Sequence, residues 1–92
     1  MANLAFYKNI FFFIFAGDIL REPPHIHFSN RRTKDIYGKI WLETLEIAER
    51  GGFTQKELNV IKKLVSKYQK ELIDRYKSFG KQTVKPINMI LK

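Results

Sequence analysis

The feature that most constrains the fold of this chain is a helix start signal in its second half. The segment Thr54-Gln55-Lys56-Glu57 has the pattern of a capping box. In that motif the threonine hydroxyl accepts a hydrogen bond from the N–H of Glu57, and the Glu57 carboxylate accepts one from the N–H of Thr54. Phe53 and Leu58 occupy the hydrophobic-staple positions around it. A helix should therefore begin at about residue 55.

Beyond this cap, apolar residues recur at steps of three and four and form one stripe along the helix. Gly80 is a residue type that commonly follows the last helical turn. The spacing predicts one helix over about residues 55–79 with an apolar face that needs a partner layer. The stripe consists of Leu58, Ile61, Leu64, Val65, Tyr68, Leu72, Tyr76 and Phe79.

Three segments before the helix have the composition of β-strands, at about residues 9–16, 25–29 and 35–42. The first is rich in phenylalanine and isoleucine and predicts a strand buried on both faces, paired antiparallel with the second. Residues 45–48 fit either a fourth short strand or one helical turn. Gly38 indicates a bulge or the close approach of another backbone. Pro86 limits the apolar tail to an edge strand.

These segments predict an α+β fold, in which a small, mostly antiparallel sheet of three to four strands packs on one long C-terminal helix. We expect a single domain over residues 1–92, with the sheet at about 9–48, the helix at 55–79 and a docked or edge-strand tail at 81–92. The chain has no cysteine, which excludes disulfides and thiolate zinc sites. Its longest apolar run, residues 10–16, is shorter than the ~18–20 residues of a membrane helix. We expect a cytoplasmic protein with no membrane partner.

The positive charge of the chain is concentrated in its C-terminal part. The formal net charge is +8, and residues 54–92 contain ten Lys or Arg against three Asp or Glu. Such an asymmetry is typical of proteins with an anionic partner, such as nucleic acid or an acidic protein, although a solvated helix face has the same pattern. The lysines that lie off the apolar stripe are Lys62, Lys63, Lys67, Lys70 and Lys77.

The only two histidines follow a pair of prolines, in Pro23-Pro24-His25-Ile26-His27. Prolines fix φ and favour an extended entry, so the strand that follows should direct both imidazoles to one face. The pair can ligate a metal together with Asp18 or Glu22, act as acid and base, contact phosphate, or only hydrogen-bond loop backbone. The spacing fixes no third metal ligand.

The segment Lys39-Ile40-Trp41-Leu42 should place Lys39 and Trp41 on one face of the third strand. Trp41 can stack on a nucleobase while Lys39 or Arg21 holds a phosphate. A single tryptophan that packs in the core is the alternative.

Several short motifs occur in a fixed order: Gly17-Asp18, the segment from Arg21 to Phe28, Lys39-Ile40-Trp41-Leu42-Glu43, Gly52-Phe53, and a helix that ends in Glu71-Leu72. Together they resemble a prokaryotic family of small domains of unknown function, numbered 4160. The resemblance covers about residues 9–80. Its motif positions in this sequence are Glu22, Pro23, Pro24, His25, His27, Lys39 and Trp41.

The resemblance implies a small protein partner, because genes of this family often lie beside a second small protein in pairs that look like toxin–antitoxin modules. We therefore expect an interaction protein of such a pair, with nucleic-acid contact through the basic helix face and no cofactor. The alternative is a ribonuclease-type toxin in which His25 and His27 are acid and base. Lys39 or Arg21 would then stabilise charge on phosphate. The sequence determines neither the oligomeric state nor whether the chain is an enzyme. The candidate binding residues are Arg21, Glu22, Trp41, Lys63, Lys67 and Lys70.

Overall fold

A computed structural model describes residues 2–15, 17, 22–30, 36–78 and 85–91 of the chain. Five strands come first, two consecutive helices follow, and one short strand comes last. The strands and helices are β1 (Ala2–Tyr7), β2 (Ile10–Ile14), β3 (His25–Asn30), β4 (Gly38–Trp41), β5 (Ile47–Glu49), α1 (Gln55–Lys67), α2 (Gln69–Lys77) and β6 (Ile87–Asn88).

The strands form one mixed sheet in the order β5-β4-β3-β2-β1-β6. Neighbouring strands from β1 to β5 are antiparallel, including the predicted β2–β3 pair. Strand β6 pairs with β1 in parallel, through Ala5 opposite Ile87 and Phe6 opposite Asn88. Strand β6 is thus at one edge of the sheet.

The α+β prediction is confirmed, but the prediction of three to four strands is wrong because the described residues form six. Strand β1 was missed because its segment Ala-Asn-Leu-Ala-Phe-Tyr contains no β-branched residue, and alanine and asparagine are depleted in strands. Pairing with β2 overrides this weak local preference. The ambiguous segment at 45–48 belongs partly to a strand, β5, which begins at Ile47.

The prediction of one long helix is also wrong in detail, because the helical region is divided at Tyr68. Tyr68 has φ −107° and ψ 17° and separates α1 from α2. The N–H of Tyr68 still donates to Leu64 O, and Leu72 N–H donates to Tyr68 O. The two helices therefore remain nearly continuous. Helix α2 ends at Lys77, and the predicted end residues Phe79 and Gly80 lie outside the described residues.

The predicted capping box at the start of α1 is present. The Glu57 N–H donates to the Thr54 hydroxyl at 3.2 Å, and the Thr54 N–H donates to the Glu57 carboxylate at 2.8 Å. Phe53, before the cap, is buried and packs edge-on against Phe28 with ring centroids 5.2 Å apart. These contacts fix the start of α1 against strand β3.

The main core lies between the helices and one face of the sheet. The described residues of the predicted helical stripe are all buried except Tyr68, which is half-buried. Strands β2, β3 and β4 contribute alternate residues to the same core, because successive side chains of a strand point to opposite faces of the sheet. The fully buried apolar residues of these three strands are Phe12, Ile14, Ile26, Phe28 and Ile40.

Gly38 of β4 is opposite Phe28 of β3, and there is no room for a side chain at this position. A Cβ on Gly38 would lie 2.3 Å from the Phe28 ring and 2.8 Å from the carbonyl oxygen of Glu49. The predicted close approach at this glycine is therefore confirmed. Within the described part of the chain, neither helix combines the length and apolar character that crossing a membrane requires.

Candidate functional site

The histidines lie on the face of the sheet turned away from the main core. Residues 25 and 27 of β3 alternate with the core residues Ile26 and Phe28. In the β3–β4 register, His25 is opposite Trp41 and His27 is opposite Lys39. The two strands thereby bring together four candidate residues that are well separated in the sequence.

His25 is fully buried at the start of β3. Its Nδ1 lies 3.0 Å from the carbonyl oxygen of Pro23. A carbonyl only accepts, so Nδ1 carries the proton and donates, and Nε2 is the second ring nitrogen available for a polar contact. This Nε2 lies 3.6 Å from Oε2 of Glu22. The ring also contacts Trp41 and Tyr76, with centroids 5.6 Å and 5.8 Å away.

His27 is 5% exposed and lies in an aromatic environment. Its Nδ1 lies 3.3 Å from the carbonyl oxygen of Gly38, to which it donates by the same argument. Aromatic rings surround it: the centroids of Phe13, Phe15 and Tyr37 lie 5.7, 4.9 and 5.2 Å from that of His27. The His27 ring therefore lies in a second, smaller apolar layer on this face.

Glu22 connects the two strands through its carboxylate. Oε1 accepts from Nζ of Lys39 at 2.6 Å, while Oε2 faces His25. The Lys39 side chain is 10% exposed and that of Glu22 is 34% exposed. The Lys39 ammonium also lies 4.4 Å from the centroid of the Trp41 ring, within cation–π distance. We call Glu22, His25, His27, Lys39 and Trp41 the Glu22 cluster.

The buried polar side-chain atoms of the Glu22 cluster have hydrogen-bond partners within the protein. No buried side-chain nitrogen or oxygen lacks a hydrogen-bond partner among the described residues. In the same part of the chain, no group of three His, Asp or Glu residues has the geometry to hold a metal ion. The arrangement is suited to joining the proline-rich entry of β3 to β4.

The structure brings Glu22, His25, His27, Lys39 and Trp41 together, whereas Arg21 lies outside the described residues. The surrounding rings of Phe13, Phe15 and Tyr37 were missed as part of this site. Their signal was the period of two: Phe13 and Phe15 alternate with core residues in and just after β2, and Tyr37 is two residues before Lys39.

The candidate lysines of the helices form a separate surface. Lys63, Lys67 and Lys70 are exposed, as are Lys62 and Lys77. The Lys67 ammonium donates to the carbonyl oxygen of Ile90 at 2.7 Å, so this lysine also helps to hold the tail. The sequence pattern predicted only a binding role for Lys67, because the position of the tail depends on tertiary structure.

A groove beside these lysines had no signal in the sequence. One wall consists of turn residues 44–46, between β4 and β5, and the other consists of Lys62, Lys63, Ser66 and Lys67 of α1. Its walls are distant in the sequence, so only the folded chain reveals it.

Comparison with known proteins gives one family match. Searches of curated proteins and of solved structures found no match. The model of a family described as a domain of unknown function, DUF4160, matches residues 9–77. This range contains β2 to α2 and every member of the Glu22 cluster. The chain therefore belongs to the DUF4160 family of domains of unknown function.

Proposed function

We propose that this protein is a non-enzymatic binding protein that contacts nucleic acid through the lysine surface of α1 and α2. We further propose that it works in the cytoplasm with a small protein partner, in a toxin–antitoxin-like pair. The main support for nucleic-acid contact is that Lys62, Lys63 and Lys70 are exposed. Their ammonium groups make no hydrogen bond or ion pair with the described residues. Ammonium groups of this kind are suited to phosphate contacts that position a nucleic acid without specifying its sequence.

The burial of the Glu22 cluster supports a structural role for the histidines. An acid–base pair has to come within hydrogen-bond distance of its substrate. His25 and His27 are 0% and 5% exposed, and each donates from Nδ1 to a backbone carbonyl. These contacts stabilise the junction between the proline segment and β4. This structural role explains the presence of the two histidines without a catalytic one.

The ribonuclease-type toxin stays a prediction with its own test. Wild type and the variant His25→Ala/His27→Ala would be expressed separately in a bacterial host, and growth would be compared at matched amounts of soluble protein. Catalysis by the histidines requires toxicity that the variant loses. We expect the two forms to affect growth equally, which would exclude this mechanism.

The binding proposal predicts salt-dependent affinity for nucleic acid. Fluorescently labelled single-stranded RNA and duplex DNA would be titrated with the protein at about 50 mM and 200 mM salt. Each lysine–phosphate contact releases counterions, so the affinity should fall steeply between the two salt concentrations. Absence of binding to either nucleic acid at the lower concentration would refute the proposal.

A matched pair of variants separates the lysine surface from net charge. Lys62→Gln/Lys63→Gln removes two exposed lysines from α1, and Lys8→Gln/Lys85→Gln removes two exposed lysines elsewhere. Both variants have the same net charge. We expect the first to lower the affinity and the salt dependence, by about one unit of slope for each lysine–phosphate pair removed, and the second to change both much less. Equal effects would show that the helices contain no defined site.

A further inference from the structure

The groove between turn 44–46 and α1 has a cationic wall on the side of α1 and an apolar side chain, Leu45, on the side of the turn. Lys62, Lys63 and Lys67 provide three positive charges, and Glu46 provides one negative charge. Leu45 is half-buried and packs against the main core, which leaves the rest of its side chain to line the groove. A ligand for this groove should therefore be anionic and should also carry an apolar group.

The turn that forms one wall is held in place by hydrogen bonds. Leu45 N–H donates to Trp41 O at 2.8 Å, and Trp41 N–H donates to Glu46 O at 3.0 Å. From the start of α2, the side-chain amide of Gln69 donates to Leu42 O at 2.6 Å and to Glu43 O at 3.3 Å. The wall is thus fixed to the helices before a ligand arrives, which lowers the entropic cost of binding.

Leu45 is held in an unfavourable backbone conformation in this turn. Its φ is +65°, in the left-handed region that residues other than glycine, asparagine and aspartate seldom adopt. A glycine would satisfy the backbone at this position with less strain. The leucine side chain therefore strains the turn. Its packing against the main core offsets part of this cost, and a contact of its remaining surface with a ligand would offset more.

The chemistry of the groove favours an acidic peptide over nucleic acid. None of its lining residues is aromatic, so it offers no ring on which a nucleobase can stack. It lies next to β5, the strand at one edge of the sheet, and a second groove shares Glu46 and Lys62 with it and includes Ile47 of β5. An extended segment with carboxylates and one apolar side chain matches this surface in charge and in polarity.

We propose that this groove binds an acidic segment of the protein partner, with an apolar side chain on Leu45 and carboxylates at Lys62 and Lys63. The proposal rests on the part of the proposed function that includes a protein partner, and it gives that partner a chemical description. The groove shares Lys62 and Lys63 with the proposed nucleic-acid surface. Leu45 distinguishes the two, because an apolar side chain has no role in holding phosphate.

The test uses a short peptide with one leucine between two pairs of glutamates, and the same peptide with serine in place of leucine. Binding of each to the full chain would be measured by fluorescence anisotropy at low salt. We expect the leucine peptide to bind about fivefold more tightly than the serine peptide, because part of one leucine is removed from water. Equal affinity of the two peptides, or no binding of either, would overturn the proposal.

Variants of Leu45 locate the contact. Leu45→Gly and Leu45→Asn both suit a positive φ and remove the apolar surface. Both variants should bind the leucine peptide only as tightly as wild type binds the serine peptide. Their affinity for RNA should equal that of wild type. Using two variants guards against a folding defect in one, and a thermal melt monitors both. Unchanged affinity for the leucine peptide in folded variants would overturn the proposal.

The nucleic-acid measurement remains an independent result. Failure of wild type to bind RNA or DNA would refute the proposed nucleic-acid contact without changing the peptide result. Conversely, RNA binding that Leu45→Gly weakens as much as peptide binding would show that Leu45 has no contact specific to the peptide, and would overturn this assignment of the groove.

Discussion

At the scale of single residues, Glu22 determines whether Lys39 can be buried. Lys39 is 8% exposed, and a buried ammonium without a partner is strongly unfavourable. The Glu22 carboxylate is its ion-pair partner at 2.6 Å and also faces His25. The motif position Glu22 therefore has a structural reason that is independent of any reaction. Its carboxylate balances the positive charge of Lys39, whose ammonium lies against the Trp41 ring.

We predict that Glu22→Gln lowers the free energy of unfolding by about 1–3 kcal/mol, since it leaves a buried donor poorly compensated. Lys39→Met should also lower the free energy of unfolding. In the double variant the loss of this free energy should be smaller than the sum of the two single losses, because no unpaired charge remains. The measurement is urea denaturation of the four proteins at neutral pH.

Glu43→Gln is a suitable control for that cycle, because Glu43 is an exposed carboxylate with no side-chain partner among the described residues. Its substitution should change the free energy of unfolding by about 0.5 kcal/mol or less. An equally small loss for Glu22→Gln would mean that the ion pair does not stabilise the fold. Strict additivity in the double variant would mean that Glu22 and Lys39 are not coupled.

At the scale of helices and strands, predictability followed the strength of local signals. The capping box at Thr54 and the three- and four-residue spacing that follows it are local, and they located the start and buried face of α1 correctly. The divided helix depends on tertiary contacts of residues at the break. The hydroxyl of Tyr68 accepts from the N–H of Ile90, and Gln69 donates to the turn after β4. No local pattern predicts such contacts.

The same distinction explains the Glu22 cluster. Strand alternation was enough to predict that His25 and His27 share a face and that Lys39 shares one with Trp41. Burial of this face was not predictable. At His27 it depends on the rings of Phe13, Phe15 and Tyr37, which reach that imidazole only after β2, β3 and β4 align.

At the scale of the whole molecule, the family match divides the sheet into two parts. Strands β2 to β5 and both helices lie within residues 9–77, whereas β1 and β6 lie outside. The matched part is a four-stranded antiparallel sheet with a helical layer. Strands β1 and β6 pair with each other and extend this sheet beyond β2.

Several contacts join this added pair to the rest of the protein. Met89, directly after β6, is 2% exposed and belongs to the same core cluster as the helix residues. Its N–H donates to Phe6 O at 2.9 Å. From the helices, Arg75 donates to Lys85 O, and Lys67 and Tyr68 bond the backbone of Ile90. The tail should therefore unfold together with the whole domain.

This integration gives a prediction for two neighbouring residues. Met89→Ala should lower the free energy of global unfolding by about 2–5 kcal/mol, the usual cost of removing a buried methionine side chain. Ile90→Ala is the matched control, because the Ile90 side chain is 53% exposed and its backbone bonds are retained. It should cost about 0.5 kcal/mol or less.

Urea denaturation measures both losses, and amide hydrogen exchange shows which strands open. If Met89→Ala accelerates exchange in β1 while leaving β3, β4 and the denaturation midpoint unchanged, β1 and β6 form a separate local unit. A shift of the midpoint with faster exchange in β3 and β4 as well would confirm that the tail belongs to one cooperative domain.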